Sequence, residues 1–293
     1  MKIITVTLNP CIDINYKTEK PFRAGELNRV PAPSVSYNGK GINVSRLLSK
    51  MGEESTALII GDMGSEAERS LRGEGLNVMS VSAGGSLRRN TAILDGDGRE
   101  TQINEPGMTV DESVIKEFIG LYKSELNCDD KKIVALCGSV PPGVDKGIYR
   151  KLCTIAKNSG AYVILDCDGE SLKTGLEATP DLIKPNQEEF EALIGKTLEG
   201  SGEALRIHAV RAALEFCRNE GSAVLCTLGA EGSVFAGPEG SYMCEARKAD
   251  IKTFKGAGDS FLAAFIFEHI VCEKDCDMAM MLASAAVARY LSE

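Results

Sequence analysis

The chain of 293 residues is long enough for one large α/β domain or two smaller ones, and 43% of its residues are hydrophobic, which suffices for a sizeable core. Its formal net charge of −9 argues against a nucleic-acid-binding protein and against a protein that binds anionic membranes. No apolar run is long enough to span a bilayer, and residues 1–6 resemble a strand rather than a signal peptide, so we expect a cytoplasmic protein without a membrane partner.

The first predicted strand covers residues 3–8, where β-branched residues are frequent, and it ends at Asn9-Pro10. Asp13 follows in a predicted polar turn. This position would place its carboxylate at the carboxyl edge of a central strand, where open α/β sheets bind ligands. The alternative is that Asp13 only caps a turn.

A glycine turn at residues 38–41 leads into a helix whose apolar residues keep helical spacing as far as Met51. Unpaired N–H groups at a helix N-terminus attract anions, and Lys40 adds a positive charge, so this turn predicts an anion site. The alternative is a flexible loop with a solvated lysine.

Two segments predict a small sheet beside the main body. Residues 16–37 are irregular and rich in proline, which favours short strands over a helix. Strands 91–94 and 101–104 are joined by an Asp-Gly-rich turn and form a predicted hairpin. Arg88 or Arg89 at the base of this hairpin can clamp a phosphate, although adjacent arginines are as often solvated surface.

The rest of the chain alternates between strands and helices, which predicts parallel strands with right-handed crossovers and helices on both faces of the sheet. The further predicted strands are 56–61, 78–81, 133–137, 162–166, 181–184 and 223–229, with a hairpin at 233–235 and 242–244. The predicted helices are 65–72, 109–126, 145–158, 169–177, 186–194, 203–219, 257–271 and 276–291. We find no repeat or linker, so one domain, 1–293, with a small inserted sheet is the economical interpretation.

A second glycine turn, at residues 255–260, runs directly into an apolar stretch predicted to be a helix. The N–H groups of Gly256, Ala257 and Gly258 can hold an anion at the positive end of the helix dipole. Asp259 lies in the first turn, where its carboxylate can accept the proton of a hydroxyl that attacks phosphorus. On these residues alone a plain helix cap is equally consistent. Two anion sites with a carboxylate between them suit phosphoryl transfer to a substrate that already carries a phosphate.

The ten cysteines show no C-x-x-C spacing and mostly lie in apolar runs, which is typical of small core residues in a reducing compartment. Cys272 and Cys276 have the spacing of a metal pair on one helix face. Because the chain contains only two histidines, we do not expect a metal site there.

Eight short motifs follow one another along nearly the whole chain. They are Asn9-Pro10…Asp13, Gly39-Lys40-Gly41-Ile42-Asn43, Arg88-x-Asn90, Asn104-Glu105-Pro106-Gly107, Gly138-Ser139-Val140-Pro141-Pro142-Gly143, Lys184-Pro185-Asn186-x-x-Glu189, Thr227-Leu228-Gly229 and Gly256-Ala257-Gly258-Asp259-Ser260. In this order they resemble the phosphofructokinase-B branch of the ribokinase-like sugar kinases, and among these most closely 1-phosphofructokinase and tagatose-6-phosphate kinase. The P-loop pattern and a G-x-G-x-x-G after the first strand are both absent.

The resemblance implies an α/β fold of the ribokinase-like type, a three-layer α/β/α sandwich with a mostly parallel, doubly wound sheet. A small β-sheet lid, built from about 10–37 and 87–106, would close over the sugar and often pairs in a homodimer. The implied reaction is ATP-dependent phosphoryl transfer to a phosphorylated ketohexose, with fructose 1-phosphate favoured and tagatose 6-phosphate second. A 6-phosphofructokinase-type activity and a catalytically weak sugar-phosphate-binding protein are the alternatives. Mg²⁺ and, in many members, a monovalent cation are the implied ions.

The same resemblance assigns Asp259 as the catalytic base and Gly256, Ala257 and Gly258 as the anion hole. The residues implied for the phosphosugar are Asp13, Gly39, Lys40, Asn43 and Arg88, with Lys40 and Arg88 nearest its phosphate. Those implied for the nucleotide are Lys184, Asn186, Glu189, Thr227 and Gly229. Mg²⁺ would be held through water near Asn186 and Glu189, without a direct ligand. A surface ion pair at a helix start is the alternative for Lys184 and Glu189.

Four departures from the family pattern are visible. Asn38 replaces the first of two glycines, although asparagine tolerates left-handed backbone. Leu87 replaces a threonine. Phe254-Lys255 replaces a Thr-Val-like pair, and Lys255 would add a positive charge beside the anion hole. Relatives also continue beyond the position of Glu293 through a loop and a helix that border the adenine. The last two departures motivate the binding-protein alternative.

Overall fold

The computed structural model describes residues 1–62, 64–249 and 256–292. The strands, numbered in chain order, are β1 (Lys2–Thr7), β2 (Cys11–Lys17), β3 (Ser34–Asn38), β4 (Thr56–Ile60), β5 (Asn77–Val81), β6 (Arg88–Leu94), β7 (Glu100–Asn104), β8 (Lys132–Cys137), β9 (Tyr162–Asp166), β10 (Leu182–Ile183), β11 (Ala223–Thr227), β12 (Ser233–Gly237) and β13 (Gly240–Cys244). The α-helices are α1 (Lys40–Lys50), α2 (Gly64–Gly73), α3 (Glu112–Leu126), α4 (Ile148–Asn158), α5 (Gly169–Leu176), α6 (Gln187–Ile194), α7 (Gly202–Glu220), α8 (Ala257–Phe265) and α9 (Cys276–Ser292). A π-helical turn, Ile266–Val271, continues α8.

The main sheet has nine strands in the order β13-β12-β11-β10-β9-β8-β1-β4-β5. All pairs from β11 to β5 are parallel, and the two pairs β11–β12 and β12–β13 at one edge are antiparallel. The strand order reverses at β1, which lies between β8 and β4. The carboxyl ends of the strands at such a switch point are where open α/β sheets bind ligands. The predicted mostly parallel, doubly wound sheet is confirmed.

The central strands are continuous apolar runs because helices cover both faces of the sheet. Every residue of β4 and of β8 is buried. Helices α3 to α7 pack on one face, where Tyr122, Tyr149 and Phe190 are fully buried. Helices α1, α8 and α9 pack on the other face. This arrangement confirms the predicted three-layer α/β/α sandwich. No helix of the described residues is long and apolar enough to cross a membrane.

A second sheet has four strands in the order β3-β2-β6-β7, so both segments predicted for a small sheet contribute to it. Because side chains alternate along a strand and directly paired residues share a face, the register sorts its residues into two faces. One face is polar and carries Asp13, Asn38, Arg88 and Asn90. The opposite face is more apolar and carries Ile14, Val35 and Ile103, although Arg89 also lies on it.

The structure corrects the predicted position of Asp13. This residue does not lie in a turn at the edge of the main sheet but inside β2, paired with Ser36 and Asn90 in the small sheet. The chain turns at Asn9-Pro10 and then continues as a strand, because Ile12 and Ile14 alternate with polar residues.

Several predicted elements begin or end at other residues in the structure, and three of them show the physical reasons or the largest change. The helix predicted over 257–271 is α8 followed by the π-helical turn. The helix predicted from residue 145 begins at Ile148, because the Asp145 carboxylate accepts a hydrogen bond of 2.7 Å from the Gly147 N–H in a preceding turn. The strand predicted over 181–184 contains only Leu182–Ile183.

Candidate active site

Helix α8 begins at a position that requires glycine. Gly256 has φ of 79°, and a Cβ atom added there would lie 2.6 Å from the Tyr290 hydroxyl. No described side chain caps this helix, and the first intrahelical bond runs from the Ser260 N–H to the Gly256 carbonyl at 2.8 Å. The N–H groups of Ala257 and Gly258 are therefore available to an anion at the positive end of the helix dipole.

Asp259 lies in the first turn of α8 and is only 7% exposed. The Asn43 side chain donates a hydrogen bond of 2.8 Å to its Oδ2. Burial raises the pKa of Asp259, and the charge of nearby Asp166 raises it further, while Asn43 and the two neighbouring lysines, Lys184 and Lys40, oppose the shift. A carboxylate with a raised pKa is a stronger base than an ordinary aspartate, which suits proton abstraction.

Asp166 is fully buried at the end of β9 and binds two lysines. Lys40 Nζ lies 2.9 Å from its Oδ1, and Lys184 Nζ lies 3.3 Å from its Oδ2. Burial alone would raise the pKa of Asp166, but the ammonium groups of Lys184 and Lys40 hold it below its usual range. Burial likewise opposes the charge of Lys40, yet the Asp166 carboxylate outweighs burial and raises the pKa of that lysine. Lys40, Lys184, Asp166 and Asp259 therefore form a cluster of two positively and two negatively charged groups.

The sheet brings these charges together. Asp166 ends β9, and Lys184 directly follows the neighbouring strand β10. Lys184 also lies against the predicted anion hole, because a Cβ atom added to Gly258 would be 3.4 Å from its Nζ. A group held at the N-terminus of α8 would therefore meet a buried ammonium as well as backbone N–H groups.

Lys40 is the first residue of α1, which excludes the alternative of a flexible loop with a solvated lysine. Glycine at position 41 lets this helix pack closely on β1, since an added Cβ would lie 2.6 Å from Thr7 Oγ1 and 2.7 Å from the Val6 carbonyl. Gly39 is similarly restricted by the Thr7 methyl group at 2.5 Å. The glycine turn therefore positions Lys40 and Asn43 beside the end of β1.

A cleft of about 660 Å³ lies beside the N-terminus of α8. Three of the five residues predicted for the nucleotide line it, namely Asn186, Thr227 and Gly229. Ala257 and Gly258 of the predicted anion hole line it as well. This volume lies within the range of small-molecule pockets.

The other two predicted nucleotide residues do not line this cleft. Lys184 is buried and pairs with Asp166. Glu189 forms a capping box at the start of α6, in which its N–H donates to Asn186 Oδ1 at 2.8 Å and its Oε2 accepts from the Asn186 N–H at 2.9 Å. The alternative of a surface ion pair between Lys184 and Glu189 is therefore wrong.

The polar face of the small sheet carries two of the five residues predicted for the sugar, Asp13 and Arg88, whereas Lys40 and Asn43 lie in α1 and Gly39 directly precedes it. Asp13 accepts hydrogen bonds from Asn38 at 2.8 Å and from Asn90 at 3.2 Å. The Asn90 Oδ1 atom is buried and has no partner in the described part of the chain. A buried acceptor without a donor is costly unless a ligand or water satisfies it.

Arg88 lies at the junction of the two sheets, where its Nε donates to the Asn9 carbonyl at 3.1 Å. Within the described ranges, no residue pairs with its two terminal nitrogens, whereas Arg89 pairs with Glu105 at 3.2 Å. Of the two arginines, Arg88 is thus the one whose guanidinium can still bind a phosphate.

Arg46 was not predicted as a site residue, but it connects the two halves of the site. Its Nη1 donates to Asn43 Oδ1 and to Asn38 Oδ1, each at 2.8 Å. Asn43 in turn binds Asp259, and Asn38 binds Asp13. The only local signal was the spacing of Asn43 and Arg46, which places them three residues apart on one face of α1. Asp166 and Asn90 were also missed as site residues.

The predictions that concern Phe254 and Lys255 lie outside the described residues, as does Glu293.

A buried carboxylate at a helix N-terminus, with a cleft on one side and a polar sheet on the other, suits the transfer of a phosphoryl group to a hydroxyl. The chain belongs to the pfkB family of carbohydrate kinases, whose family model matches residues 5–289. It is therefore a carbohydrate kinase with the ribokinase-like fold.

Three known proteins are similar to this chain in sequence or in structure. Over 266 residues the chain is 33% identical to 1-phosphofructokinase of Bacillus subtilis (strain 168). This alignment covers 90% of this chain and 84% of the relative. Phosphofructokinase-2 from Escherichia coli, in complex with substrates and products, superimposes with a TM-score of 0.90 at 25% identity, covering 100% of this chain and 94% of that one. A protein from Thermotoga maritima described as a possible 1-phosphofructokinase gives a TM-score of 0.83 at 25% identity, covering 100% and 92%.

Proposed function

We propose that the protein transfers the γ-phosphoryl group of ATP to a free hydroxyl of a phosphorylated ketohexose. The preferred acceptor is fructose 1-phosphate, which gives fructose 1,6-bisphosphate, and tagatose 6-phosphate is second. The observation that carries the proposal is the position of Asp259, a buried carboxylate with a raised pKa beside the unpaired N–H groups of α8. The preference for fructose 1-phosphate is supported by the identity to the Bacillus subtilis 1-phosphofructokinase.

In the proposed reaction, Asp259 removes the proton of the attacking hydroxyl as the oxygen approaches the phosphorus. The N–H groups of Gly256, Ala257 and Gly258 stabilise the charge that develops on the transferred group. Lys184, which lies against Gly258, adds a positive charge at the same point. Asn43 holds the carboxylate of the base in place through its hydrogen bond.

The nucleotide would occupy the cleft lined by Asn186, Thr227 and Gly229, which adjoins the anion hole. Glu189 uses one carboxylate oxygen to cap α6, and its Oε1 has no hydrogen-bond partner in the parts of the chain that the structure describes. This oxygen can accept a hydrogen bond from water bound to Mg²⁺, which supplies charge neutralisation between the phosphates. A monovalent cation stays a prediction from the family resemblance.

The phosphate of the sugar would bind chiefly to Arg88, whose terminal nitrogens are unpaired among the described residues. Lys40 was predicted to be equally near, but its ammonium pairs with Asp166 and so contributes at longer range. Asp13 and Asn90 would bind sugar hydroxyls, since the orphaned Oδ1 of Asn90 needs a donor.

The small sheet would act as the lid over the sugar and as the contact between two copies of the chain. Val35 and Ile103 on its apolar face are 54% and 60% exposed. Apolar side chains on a sheet face that is otherwise open to water suit burial against an identical sheet.

A second candidate is phosphorylation of fructose 6-phosphate. Phosphofructokinase-2 from Escherichia coli in complex with fructose-6-phosphate superimposes on this chain with a TM-score of 0.84 at 25% identity. One base can serve a hydroxyl at either end of the sugar, because the two bisphosphate-forming reactions present similar geometry.

The test is ADP formation with a panel of fructose 1-phosphate, tagatose 6-phosphate, fructose 6-phosphate and unphosphorylated fructose. We expect kcat/KM for fructose 1-phosphate to exceed each of the others by roughly tenfold or more. A larger value for fructose 6-phosphate would favour the second candidate. If no sugar phosphate supports ADP formation above the rate with ATP alone, the proposal is wrong.

A further inference from the structure

Three metal-binding side chains from separate parts of the chain meet far from Asp259. Glu239 lies in the turn between β12 and β13, His269 in the π-helical turn after α8, and Cys276 at the start of α9. One donor atom from each residue lies within 4.8 Å of the others. Within this cluster, His269 Nε2 and Glu239 Oε1 are 3.6 Å apart.

The orientation of His269 is fixed by its backbone surroundings. Its Nδ1 lies 2.8 Å from the Lys274 carbonyl, which can only accept a hydrogen bond, so Nδ1 carries the proton. In the neutral imidazole the lone pair is then on Nε2, the atom that lies 3.6 Å from Glu239 Oε1. A metal-binding histidine usually has this arrangement, in which the second nitrogen donates to a carbonyl or carboxylate.

The surroundings favour binding of a metal that can reach the site from solvent. The Phe265 ring lies 5.0 Å from the His269 ring, and the Phe235 ring lies 6.4 Å from it, so one side of the cluster is apolar. The Cys276 side is buried, whereas the Glu239 side chain is half exposed. The cluster therefore opens to water on the Glu239 side.

We propose that Glu239, His269 and Cys276 bind one Zn²⁺ ion, with water as the fourth ligand. Sulfur and imidazole donors select zinc over magnesium or calcium. Tetrahedral zinc with ordinary bond lengths places its ligand atoms roughly 3.4–3.6 Å apart, so the glutamate and the histidine need little movement. Binding replaces the thiol proton of Cys276, which is released to solvent.

Zinc at this site would stabilise the fold and would not contact the transferred phosphoryl group. The three ligands connect the β12–β13 turn to the π-helical turn that continues α8, whose first turn contains Asp259. They also connect it to α9, which lines the cleft through Ser284 and Val287. A ligand that binds only the folded protein stabilises it. We therefore expect saturating Zn²⁺ to raise the Tm of metal-free protein by about 3 °C or more.

Cobalt titration of the full-length, chelator-treated protein is the direct test, because Co²⁺ bound to a thiolate gives a near-ultraviolet charge-transfer band. Co²⁺ bound to phosphate or carboxylate oxygens lacks that band. We expect one equivalent of Co²⁺ to produce the band and Zn²⁺ to remove it. Cys276→Ser should abolish it, and His269→Gln and Glu239→Gln should each weaken Co²⁺ binding at least tenfold.

Cys272→Ser is the matched control, because this cysteine is exposed and close in sequence but lies outside the cluster. It should keep both the band and the Tm rise. The proposal is overturned if the wild type gives no band, or if the band persists in Cys276→Ser. Should Cys276→Ser fail to fold by circular dichroism, unchanged Co²⁺ affinity in His269→Gln would overturn the proposal on its own.

Discussion

Two buried aspartates stand close together in this site, and their surroundings push their pKa values in opposite directions. Asp166 has two lysines as direct partners, so its pKa falls despite burial. Burial raises the pKa of Asp259 and the charge of Asp166 raises it further, whereas the hydrogen bond from Asn43 opposes the shift only in part. When two neighbouring carboxylates have opposite pKa shifts, the one with the lowered pKa stays ionised and the one with the raised pKa can exchange a proton. This division of roles supports the proposed role of Asp259 as the base, while Asp166 pairs with Lys40 and Lys184.

The raised pKa of Asp259 should be visible in the pH dependence of the reaction. A base works only when deprotonated, so kcat/KM for the phosphosugar should fall as the pH falls through its raised pKa. We expect the acid limb of the profile to lie clearly above the ordinary aspartate value of about 3.9. A profile that stays flat down to that value would show that Asp259 is not the titrating base.

Arg88 tests the assignment of the sugar phosphate. Arg88→Ala would remove the proposed charge-assisted contact with the sugar phosphate, which is worth roughly tenfold to a hundredfold in binding. The KM for the phosphosugar should rise by that factor while the KM for ATP stays nearly unchanged. Arg89→Ala is the control, because Arg89 is exposed and pairs with Glu105, and it should change neither KM. Equal increases of both KM values in Arg88→Ala would contradict the assignment.

At the scale of elements, α1 links the base to the small sheet. Its glycines allow close packing on β1, Asn43 contacts Asp259, and Arg46 reaches back to Asn38 at the end of β3. Arg46 also pairs with Glu74 and donates to the Tyr37 carbonyl at 2.8 Å. One arginine therefore determines both the orientation of the asparagine that holds the base and the position of a strand in the small sheet.

Arg46→Ala should lower kcat/KM by roughly tenfold to a hundredfold, with Arg46→Lys recovering part of the loss. The reason is that Asn43 loses the donor that orients its amide toward Asp259. Because the Asn43 hydrogen bond lowers the pKa of Asp259, the acid limb of the pH profile should also move to higher pH in Arg46→Ala. Arg72→Ala, which breaks a surface pair with Glu68 in α2, is the control. If the acid limb of the pH profile is the same in Arg46→Ala as in the wild type, Arg46 has only a structural role.

The order of the elements was predictable because alternating strands and helices carry their signal in local hydrophobic periodicity. The π-helical turn was missed because Ile266–Val271 contains no glycine or proline that would mark a change from the preceding α-helix. Asp166 was missed for a different reason. Its partner Lys40 is 126 residues away in the chain, so no local spacing predicts the pair. The assignment of one domain over residues 1–293 stays a prediction.

At the scale of the whole molecule, the two sheets differ in how well they are covered. The main sheet has helices on both faces, whereas the small sheet leaves Val35 and Ile103 exposed on one face. The polar face of the small sheet bears two of the residues assigned to the sugar, Asp13 and Arg88, so its apolar face is the one that can contact a second copy. Substrate binding and association would then act on opposite faces of one sheet.

The proposed dimer makes a direct prediction for light scattering coupled to gel filtration. The wild type should elute as a dimer, and Ile103→Asp should give a monomer, because a charge would be buried in the apolar contact. Leu27→Asp is the matched control, since Leu27 is 75% exposed but lies outside the strands of the small sheet. A dimer that survives Ile103→Asp unchanged would place the contact elsewhere.

The central claim is that a single carboxylate, Asp259, removes the proton of the attacking sugar hydroxyl. The most direct measurement compares sugar-dependent ADP formation in the wild type and in Asp259→Asn, with sugar binding followed by calorimetry. The amide has nearly the same shape and can still accept the Asn43 hydrogen bond of 2.8 Å. We predict that kcat falls by about 10²–10⁴ while the phosphosugar still binds. A variant that keeps turning over at a rate near that of the wild type would contradict this account.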